Sequence, residues 1–554
     1  MIDIETENSK YLKEVAQEIK DRGFNDIQDN EQIQRQIKIF GKLSVDALIA
    51  EDYNTLINAI SNMQSNYAKA KVCSYEDRRK CDLALDPEIQ KRIHHSRDPE
   101  ELAYYWKEWY DHAGLPAKDN FKTYIDLTRK AAKINGFKSY ADDWVDEYDD
   151  TDFESNVDKI YNEILPFYKE LHAYVRHRLQ EKYGADKLPE NGNIPMHLLG
   201  NLWAQQWNQV FDIINPYPDT PFIDVTDEMV KQGYTQEKIF RMGDDFFQSL
   251  NMSKLPESFW TKSVLKKPDD PNRQIVCHAS AWDFFQKDDV RIKQCTEITQ
   301  EHLYVAHHEL GHIQYYLQYQ DQPVAFRGAP NPGFHEAVGD TIALSVSSPR
   351  HLQKIGLIKN GELDEKSRIN ELFKQALQKI IFLPFSYSMD KYRYAVFRDE
   401  IKENNWNCGW WKMRSTHGGV EPAVPRSQKD FDPTAKYHID ANVEYFRYFA
   451  AHVFQYQFHK ALCIKAGQFD ESNPTSFLDN CDIYGSHEAG EAFKEFLSVG
   501  SSKNWREVLE KFTGDKEMSA KALLNYFEPL RKWLKEEIKR LNLSTGWAVT
   551  DKCN

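Results

Sequence analysis

At Val305-Ala-His-His-Glu-Leu-Gly-His-Ile-Gln-Tyr315, two histidines stand four positions apart, with a glutamate directly after the first. The segment belongs to an apolar-periodic stretch that runs from Thr299, a residue type favoured as a helix N-cap, to the break at Pro323. Four residues make just over one helical turn, so His308 and His312 project from the same face. The pattern therefore predicts a helix that presents two imidazoles, one turn apart, on one side.

Two imidazoles placed in this way form a metal-binding pair. Both can bind one Zn²⁺ at ~2.0–2.1 Å, and the intervening Glu309 can then reach a water molecule at the metal. Zn²⁺ lowers the pKa of that water towards ~7, and the carboxylate takes its proton. A chain of this composition yields roughly 0.09 such matches by chance. The motif alone is therefore not decisive, and a third ligand is needed.

Glu336 is the candidate third ligand. It follows the second histidine with 23 residues between, inside the segment Gly333-Phe-His-Glu-Ala-Val-Gly-Asp340. A second helix carrying Glu336 could complete a site of two histidines and one glutamate, with the fourth position open. Asp340, one turn further on, either orients a ligand imidazole or is an ordinary carboxylate on the helix surface. His307 and His335 neighbour ligands in the sequence but are expected to point elsewhere.

The composition excludes several classes of partner. The 554 residues are 41% hydrophobic, which is ample for a large core. With 71 basic and 86 acidic side chains the net charge is −15, so neither nucleic acid nor an anionic membrane is an expected partner. No run of 18 apolar residues occurs, so no membrane span is predicted. The start Met-Ile-Asp-Ile-Glu-Thr lacks the features of a signal peptide, so either the protein is cytosolic or its signal has been removed.

The eight cysteines favour an oxidising compartment. None belongs to a CxxC motif, and six form near pairs: Cys73 and Cys81, Cys277 and Cys295, and Cys463 and Cys481. Disulfides closing short loops are the natural interpretation, and eight buried free thiols are the alternative. Glycosylation sequons at Asn251 and Asn542 favour the first interpretation.

Helical periodicity extends along most of the chain. Leu56, Ile57, Ile60 and Met63 recur at helical spacing, as do the apolar residues between 372 and 381. A short strand is predicted at Ile275-Val-Cys-His-Ala-Ser-Ala281. No repeat, low-complexity tract or linker divides the chain. The sequence thus predicts a mainly α protein in one large helical unit.

Four segments of this sequence resemble the angiotensin-converting enzyme family. They are Val305–Tyr315, Asn331–Asp340, Cys277–Phe284 and Phe431–Ile439, and the likeness extends from about residue 10 to residue 547. The secreted single-domain invertebrate members are the most similar in character. The resemblance implies a two-lobed helical ellipsoid with a deep central channel, a lid of N-terminal helices and a few short strands near the zinc. It also implies one catalytic domain over residues 1–554, made of two subdomains from non-contiguous segments, and a secreted monomer.

The resemblance further implies the activity. The family removes C-terminal dipeptides from oligopeptides such as angiotensin I and bradykinin. The resemblance assigns the substrate's terminal carboxylate to Gln206, Lys436 and Tyr445. It assigns the carbonyl of the final dipeptide to His278 and His438. Tyr448 would stabilise the oxyanion, and the backbone of Ala279 would pair with the peptide backbone. A cation with two neutral donors makes a charge-assisted clamp for one carboxylate. If the clamp lies roughly 7 Å from the scissile carbonyl, the span of two extended residues, only a dipeptide fits beyond the metal.

Two other functions remain open. A carboxypeptidase branch of the family removes one residue, and it has an arginine where this chain has Gln206 and a proline where it has Ala279. Dipeptide release is therefore favoured. The other alternative is a catalytically silent protein that sequesters peptides, against which the intact Glu309, the three metal ligands and Tyr448 all argue.

The resemblance also implies chloride as a second ligand. The matching residues form two sets, Tyr174 with Arg447, and Trp410 with Arg414. The second set is incomplete, because the family's remaining arginine corresponds here to Val145, so one chloride site is expected rather than two. Glu444 replaces a proline beside the clamp tyrosine. The three near cysteine pairs match the family's disulfides, which leaves Cys408 and Cys553 as a fourth pair.

Overall fold

The computed structural model describes residues 2–22, 30–270, 275, 277–473, 475–550 and 552–553. Helices dominate it, in agreement with the predicted mainly α class. Up to residue 218 the α-helices are α1 (Ile2–Asp21), α2 (Glu31–Phe40), α3 (Ala50–Lys69), α4 (Gln90–His95), α5 (Pro99–Trp109), α6 (Lys118–Ile134), α7 (Tyr140–Asp146), α8 (Phe153–Tyr183) and α9 (Phe211–Ile214).

The helices continue in the rest of the chain. They are α10 (Thr226–Lys231), α11 (Gln236–Ser249), α12 (Glu257–Lys262), α13 (Gln300–Tyr319), α14 (Phe334–Val346), α15 (Pro349–Lys354), α16 (Glu365–Phe397), α17 (Trp406–Gly418), α18 (Tyr437–Asp440), α19 (Phe446–Lys465), α20 (His487–Ser498), α21 (Trp505–Thr513), α22 (Lys521–Tyr526) and α23 (Glu528–Arg540). The periodic segments that contain Leu56 and Leu372 fall in α3 and α16, and both side chains are buried.

Strands are few and short. They are β1 (Ile194–Pro195), β2 (Ser280–Asp283), β3 (Val290–Lys293) and β4 (Val420–Glu421); β1 pairs with β4 in parallel, and β2 with β3 antiparallel. The strand predicted at 275–281 is therefore displaced towards the C-terminus. Among the described residues, the pairing of β2 with β3 begins where Ser280 lies opposite Lys293. Val276 lies outside the described residues.

The chain forms two compact units, each assembled from non-contiguous segments. The first contains Met1–Pro218, Phe373–Phe449 and Leu530–Asn554, and the second contains Asp219–Leu372 and Ala450–Pro529. Each has its own aromatic core. In the first, the ring of Trp106 stacks on Tyr110, with centroids 4.2 Å apart. In the second, the Phe334 ring lies edge-on to Phe454 at 4.8 Å.

Four disulfides join the eight cysteines. They are Cys73–Cys81, Cys277–Cys295, Cys408–Cys553 and Cys463–Cys481, as predicted, and none of the cysteines is free. The sequon asparagines Asn251 and Asn542 are both exposed. Over the described part of the chain, no helix combines the length and apolarity needed to cross a bilayer.

Candidate active site

Helix α13 carries the histidine pair. It begins where predicted, because the Thr299 hydroxyl accepts a hydrogen bond from the His302 N–H at 3.1 Å and so caps the first turn. The apolar side chains of Leu303, Leu310 and Ile313 are fully buried and anchor the helix in the core of the second unit. The histidines are thus displayed from a rigid element.

Helix α14 supplies the glutamate, and two glycines let it approach α13 closely. A Cβ on Gly311 would lie 2.8 Å from the Gly339 Cα, and a Cβ on Gly339 would lie 2.7 Å from the His308 Nδ1. Both distances are shorter than van der Waals contact, so the two helices pack in this way only with hydrogen at both positions. Glu336, in the first turn of α14, thereby reaches the histidine face of α13.

Three side chains converge to form a metal-binding cluster. The Nε2 atoms of His308 and His312 are 3.2 Å apart, and the Glu336 Oε2 is 3.4 Å from the first and 4.0 Å from the second. Ligands at ~2.0–2.1 Å from a tetrahedral Zn²⁺ are separated by about 3.3–3.4 Å. The observed triangle therefore fits one zinc ion with only a small adjustment of the carboxylate, and within the described residues this group satisfies the donor geometry of a metal site.

The remaining ring nitrogens are held by neighbours that keep Nε2 directed into the cluster. The Asp340 Oδ1 is 3.1 Å from the His308 Nδ1, where it can accept the proton of that nitrogen. The His335 Nδ1 is 3.2 Å from the His312 Nδ1, and its Nε2 is 3.4 Å from the Tyr319 hydroxyl. With Nε2 committed to a metal, His312 would donate from Nδ1 to His335.

His335 therefore does not point away from the ligands, and the expectation that it does was wrong. Neighbours on a helix point about 100° apart, which suggested that His335 and Glu336 face different surroundings. The close approach of α13 and α14 at Gly311 and Gly339 brings both residues of the first turn against α13. His307 does point away from the cluster, and its Nδ1 donates to the Leu303 carbonyl at 2.8 Å.

The electrostatics of the cluster favour a cation. Burial would raise the pKa of Glu336, but its hydrogen bond to His308 and the charge of His312 lower it to about 2. Burial would lower the pKa of His308, but Asp340 and Glu336 raise it to about 10. The two carboxylates thus give the cluster the negative charge that a bound metal cation would balance.

Glu309 projects from the same helix, directly after the first ligand, and is only 7% exposed. Burial raises its pKa to about 7, while the charge of His308 opposes the rise. A carboxyl group with this pKa is near the optimum for a group that must take and return a proton at neutral pH.

In the first unit, Lys436 is the cation of the predicted carboxylate clamp. Its Nζ donates to the Gln205 Oε1 at 2.7 Å and lies 4.4 Å from the centre of the Trp203 ring. The side chain is 7% exposed; burial, together with the charge of Arg414, lowers its pKa to about 7. Among the described residues, Lys436 forms no ion pair with a carboxylate and is therefore suited to bind one.

Gln205, not the predicted Gln206, contacts Lys436. The two amides are adjacent in a loop whose backbone reverses at Ala204, which adopts a φ of 50°. The Asn201 Oδ1 accepts the N–H groups of Trp203 and Gln205 and fixes this turn. Sequence resemblance at two consecutive glutamines did not fix the register, because the direction of each amide depends on this irregular backbone.

The aromatic residues assigned to the substrate form one cluster in the first unit. The ring centroids of His438 and Tyr445 are 4.9 Å apart, those of His438 and Tyr448 5.6 Å, and those of Tyr445 and Tyr448 5.0 Å. The start of α19 is fixed from below by Asp390, whose Oδ2 accepts the Tyr445 N–H at 2.6 Å. His438, Tyr445 and Tyr448 are thus brought together as expected from the resemblance.

His278 and Ala279 belong to the second unit. They lie immediately before β2 rather than within it, and His278 is exposed. The carbonyl of Ala281, on β2, accepts a hydrogen bond from the Tyr316 hydroxyl of α13 at 3.4 Å. The segment is thereby attached to the helix that carries the histidine pair.

The residues predicted to bind chloride have different surroundings. Arg414 is 1% exposed, and its guanidinium donates to the Ser388 hydroxyl and the Trp203 carbonyl. It forms no ion pair with a carboxylate in the described part of the chain. Its Nε and the Trp410 Nε1 are buried without a hydrogen-bond acceptor in the described protein. Arg447 instead lies beside the Glu444 carboxylate, at 3.5 Å. The tyrosine that shares this carboxylate is Tyr148, whereas the ring of the predicted Tyr174 packs against Phe373 and Trp533.

Comparison with known proteins identifies the family. The angiotensin-converting enzyme model of peptidase family M2 matches residues 1–547. The chain is 60% identical over 552 residues to the angiotensin-converting enzyme-related protein of Drosophila melanogaster, covering 100% of this chain and 87% of that protein. It is 53% identical over 532 residues to the angiotensin-converting enzyme of Haematobia irritans exigua, covering 96% and 87%. It is 46% identical over 497 residues to the rat enzyme, covering 90% of this chain and 37% of that longer protein. The chain therefore belongs to the angiotensin-converting enzyme family of zinc metallopeptidases.

Proposed function

We propose that the protein is a zinc-dependent peptidyl-dipeptidase that releases C-terminal dipeptides from oligopeptides. The observation that carries the proposal is the convergence of His308, His312 and Glu336 on a triangle of zinc-ligand dimensions, with the buried Glu309 on the same helix. Membership of the family supports a peptidase. The dipeptide specificity and the roles below are our inference from the residues of this chain.

Glu309 acts as the proton-transfer group of the reaction. Bound Zn²⁺ would polarise the scissile carbonyl and acidify the attacking water. Glu309 takes a proton from that water and returns it to the leaving amine, a role supported by its buried position directly after the first ligand. Asp340 and His335 keep the two imidazoles oriented by holding their Nδ1 atoms.

Lys436 binds the free carboxylate of the substrate. Its ammonium is buried and forms no ion pair with a carboxylate of the described residues, and the neutral Gln205 amide lies beside it. A charge-assisted hydrogen bond to the substrate carboxylate would satisfy the buried charge. Tyr445 is the further donor that we assign to this clamp. A clamp for a free C-terminus gives an exopeptidase.

Tyr448 supplies a hydroxyl for the oxyanion. A donor directed at the developing charge contributes more in the transition state than in the ground state. His438, in ring contact with Tyr448, and His278 are proposed to donate to the carbonyl of the departing dipeptide. The backbone of Ala279, next to strand β2, is proposed to pair with the extended peptide.

Single-residue release is the alternative that the test must separate. The group beside Lys436 is the neutral amide of Gln205 rather than a second cation, which favours the dipeptidase. Gln205 therefore takes the role that was predicted for Gln206.

Chloride is proposed to bind at Arg414. This guanidinium is buried and has no carboxylate partner within the described residues, where the Arg414 Nε and the Trp410 Nε1 also lack a hydrogen-bond acceptor. We therefore still propose one chloride site, but at Trp410 and Arg414 rather than at Tyr174 and Arg447. An anion there would also reduce the repulsion that Arg414 exerts on Lys436.

The environment of the protein follows from its covalent structure. Four disulfides form and persist in an oxidising compartment, and two sequon asparagines are exposed, so we propose that the protein is secreted, and that it acts as a monomer.

The proposed chemistry is tested by comparing the wild type with Glu309→Gln on a blocked tripeptide. The variant should bind zinc normally but lose about 10²–10⁴-fold in kcat, because the amide cannot take a proton. Removal of zinc by a chelator should abolish wild-type activity, and added zinc should restore it. A Glu309→Gln variant with full activity would refute the assigned base.

A further inference from the structure

Arg447 has a buried carboxylate partner from its own chain. The Glu444 Oε2 accepts a hydrogen bond from the Tyr148 hydroxyl at 2.7 Å and from the Arg447 backbone N–H at 2.9 Å. The Arg447 Nε is 3.5 Å from the same oxygen. Glu444 is 3% exposed and Tyr148 is fully buried, whereas the Arg447 side chain is 34% exposed, so the carboxylate is sheltered while the guanidinium still reaches solvent.

We propose that the Glu444 carboxylate is an internal counter-anion for Arg447, filling the space beside that guanidinium where an external anion would otherwise bind. By doing so it positions the residues at the start of α19 for catalysis. The inference rests on the proposed function, because the residues it positions, Tyr445 and Tyr448, are those assigned to the substrate. It differs from the expectation drawn from the sequence, which placed an external chloride ion at Arg447.

Two buried carboxylates hold the start of α19. The first N–H groups of a helix lack partners within the helix. The Asp390 Oδ2 accepts the N–H groups of Tyr445 and Phe446, at 2.6 and 2.7 Å, and Glu444 accepts that of Arg447. Asp390 is in turn held by the Arg393 Nε at 2.8 Å. The backbone from 445 to 447 is therefore fixed by side-chain oxygens, and the directions of the Tyr445 and Tyr448 side chains depend on it.

The groups around Glu444 disfavour the binding of a second anion beside Arg447. Arg447 is the cation that faces it, Asp390 and Glu147 are the anions, and Tyr148 and Tyr394 are the neutral groups. An external anion at Arg447 would approach the Glu444 carboxylate, which already takes two hydrogen bonds there. Burial and the charge of Asp390 raise the pKa of Glu444 to about 8, whereas Arg447 opposes the rise. The hydrogen bond from Tyr148 likewise favours the ionised carboxylate.

Glu147 provides a matched control. Its carboxylate also faces Arg447, but the separation of 3.9 Å is too long for a hydrogen bond, and 48% of the Glu147 side chain is exposed. Removing Glu147 subtracts one negative charge from the same guanidinium without opening the space that Glu444 fills. Any effect of net charge alone should therefore be shared by the two variants.

The experiment compares Glu444→Ala with the wild type and Glu147→Ala in chloride, formate and gluconate salts of equal ionic strength. Two quantities are measured: kcat/KM on a blocked tripeptide at about pH 8, where much of Glu444 is ionised, and the melting temperature. We expect Glu444→Ala to lose about 10-fold or more in kcat/KM in gluconate, because the substrate-binding side chains are misplaced. Chloride or formate, which fit the vacated space, should restore most of that loss and raise the melting temperature of this variant more than that of the wild type.

The wild type and Glu147→Ala should share one chloride response, since both retain Arg414. The proposal is overturned if Glu444→Ala shows the same ratio of chloride to gluconate activity, and the same change in melting temperature, as the wild type. If none of the proteins hydrolyses the peptide, the proposed function fails, but the melting temperatures still test Glu444.

A second variant covers a failure of Glu444→Ala to fold. Glu444→Gln keeps the shape of the side chain but not its charge, so we expect reduced kcat/KM at about pH 8 without rescue by chloride or formate. Wild-type kcat/KM in Glu444→Gln would show that the charge is not needed and would equally overturn the proposal.

Discussion

Replacing Gly339 by alanine should separate metal binding from folding. A Cβ at this position would lie 2.7 Å from the His308 Nδ1 and 2.8 Å from the His308 carbonyl oxygen, against an ordinary contact of 3.4 Å or more. The shortfall is about 0.7 Å, and it must be met by moving His308 or by separating α13 from α14. Metal ligands tolerate only about ±0.2 Å in their bond lengths.

We therefore expect Gly339→Ala to weaken zinc binding by at least 10–100-fold, the range seen when an orienting partner of a ligand is lost. The cost in folding free energy should be only about 1–3 kcal/mol, as for other overpacked positions. Zinc affinity is measured by competition with a chelator, and folding by urea denaturation of the metal-free protein. Gly328→Ala is the control, because its Cβ meets nothing within 4 Å.

The refuting result is specific. If Gly339→Ala bound zinc as tightly as the wild type and Gly328→Ala, His308 would not be confined by α14. The reasoning that the two glycines set the geometry of the cluster would then be wrong.

Three further predictions concern other residues. Asp340→Asn should weaken zinc binding by about 10–100-fold, because the anion that holds the His308 Nδ1 is lost. The affinity is measured by the same chelator competition, and an unchanged value would make Asp340 an ordinary surface carboxylate. Lys436 has its pKa lowered to about 7, so in the free protein it is charged below that pH and neutral above it. The KM for peptides with a free carboxylate should therefore rise with pH above 7, by up to about 10-fold per pH unit. Lys436→Met should raise the KM and remove this pH dependence. A wild-type KM that does not change with pH would contradict the role of Lys436 in binding the substrate carboxylate. Tyr448→Phe should lower kcat by about 10²–10³-fold with little change in KM, measured by steady-state kinetics, whereas a change confined to KM would place Tyr448 in ground-state binding.

The histidine pair was predictable because its geometry is local. Residues four apart on a helix share a face whatever the tertiary structure, and Thr299 and Pro323 marked the ends of the segment, so α13 was found within a few residues. Three of the four disulfides were anticipated from near pairs of cysteines together with the family resemblance, and the fourth joins the two cysteines that were left over. These features need no knowledge of how helices pack.

Features that depend on packing or on irregular backbone were missed. The role of Gln205 depends on a loop with a positive φ at Ala204, which no periodic pattern reveals. His335 meets His312 only because α13 and α14 approach at two glycines. Glycines at 311 and 339 were the available signal, since paired glycines in neighbouring apolar helices favour close packing. The contact between Tyr148 and Glu444 joins residues 296 positions apart and had no local signal.

The size of the product tests the central claim most directly. A hexapeptide with six different residues and a free C-terminus would be incubated with the zinc-loaded protein, and the earliest products identified by mass spectrometry. The account predicts that the first products are the intact C-terminal dipeptide and a tetrapeptide. It also predicts that the same peptide with an amidated C-terminus is cleaved much more slowly. Release of a single C-terminal residue first, or equal cleavage of the amidated peptide, would contradict it.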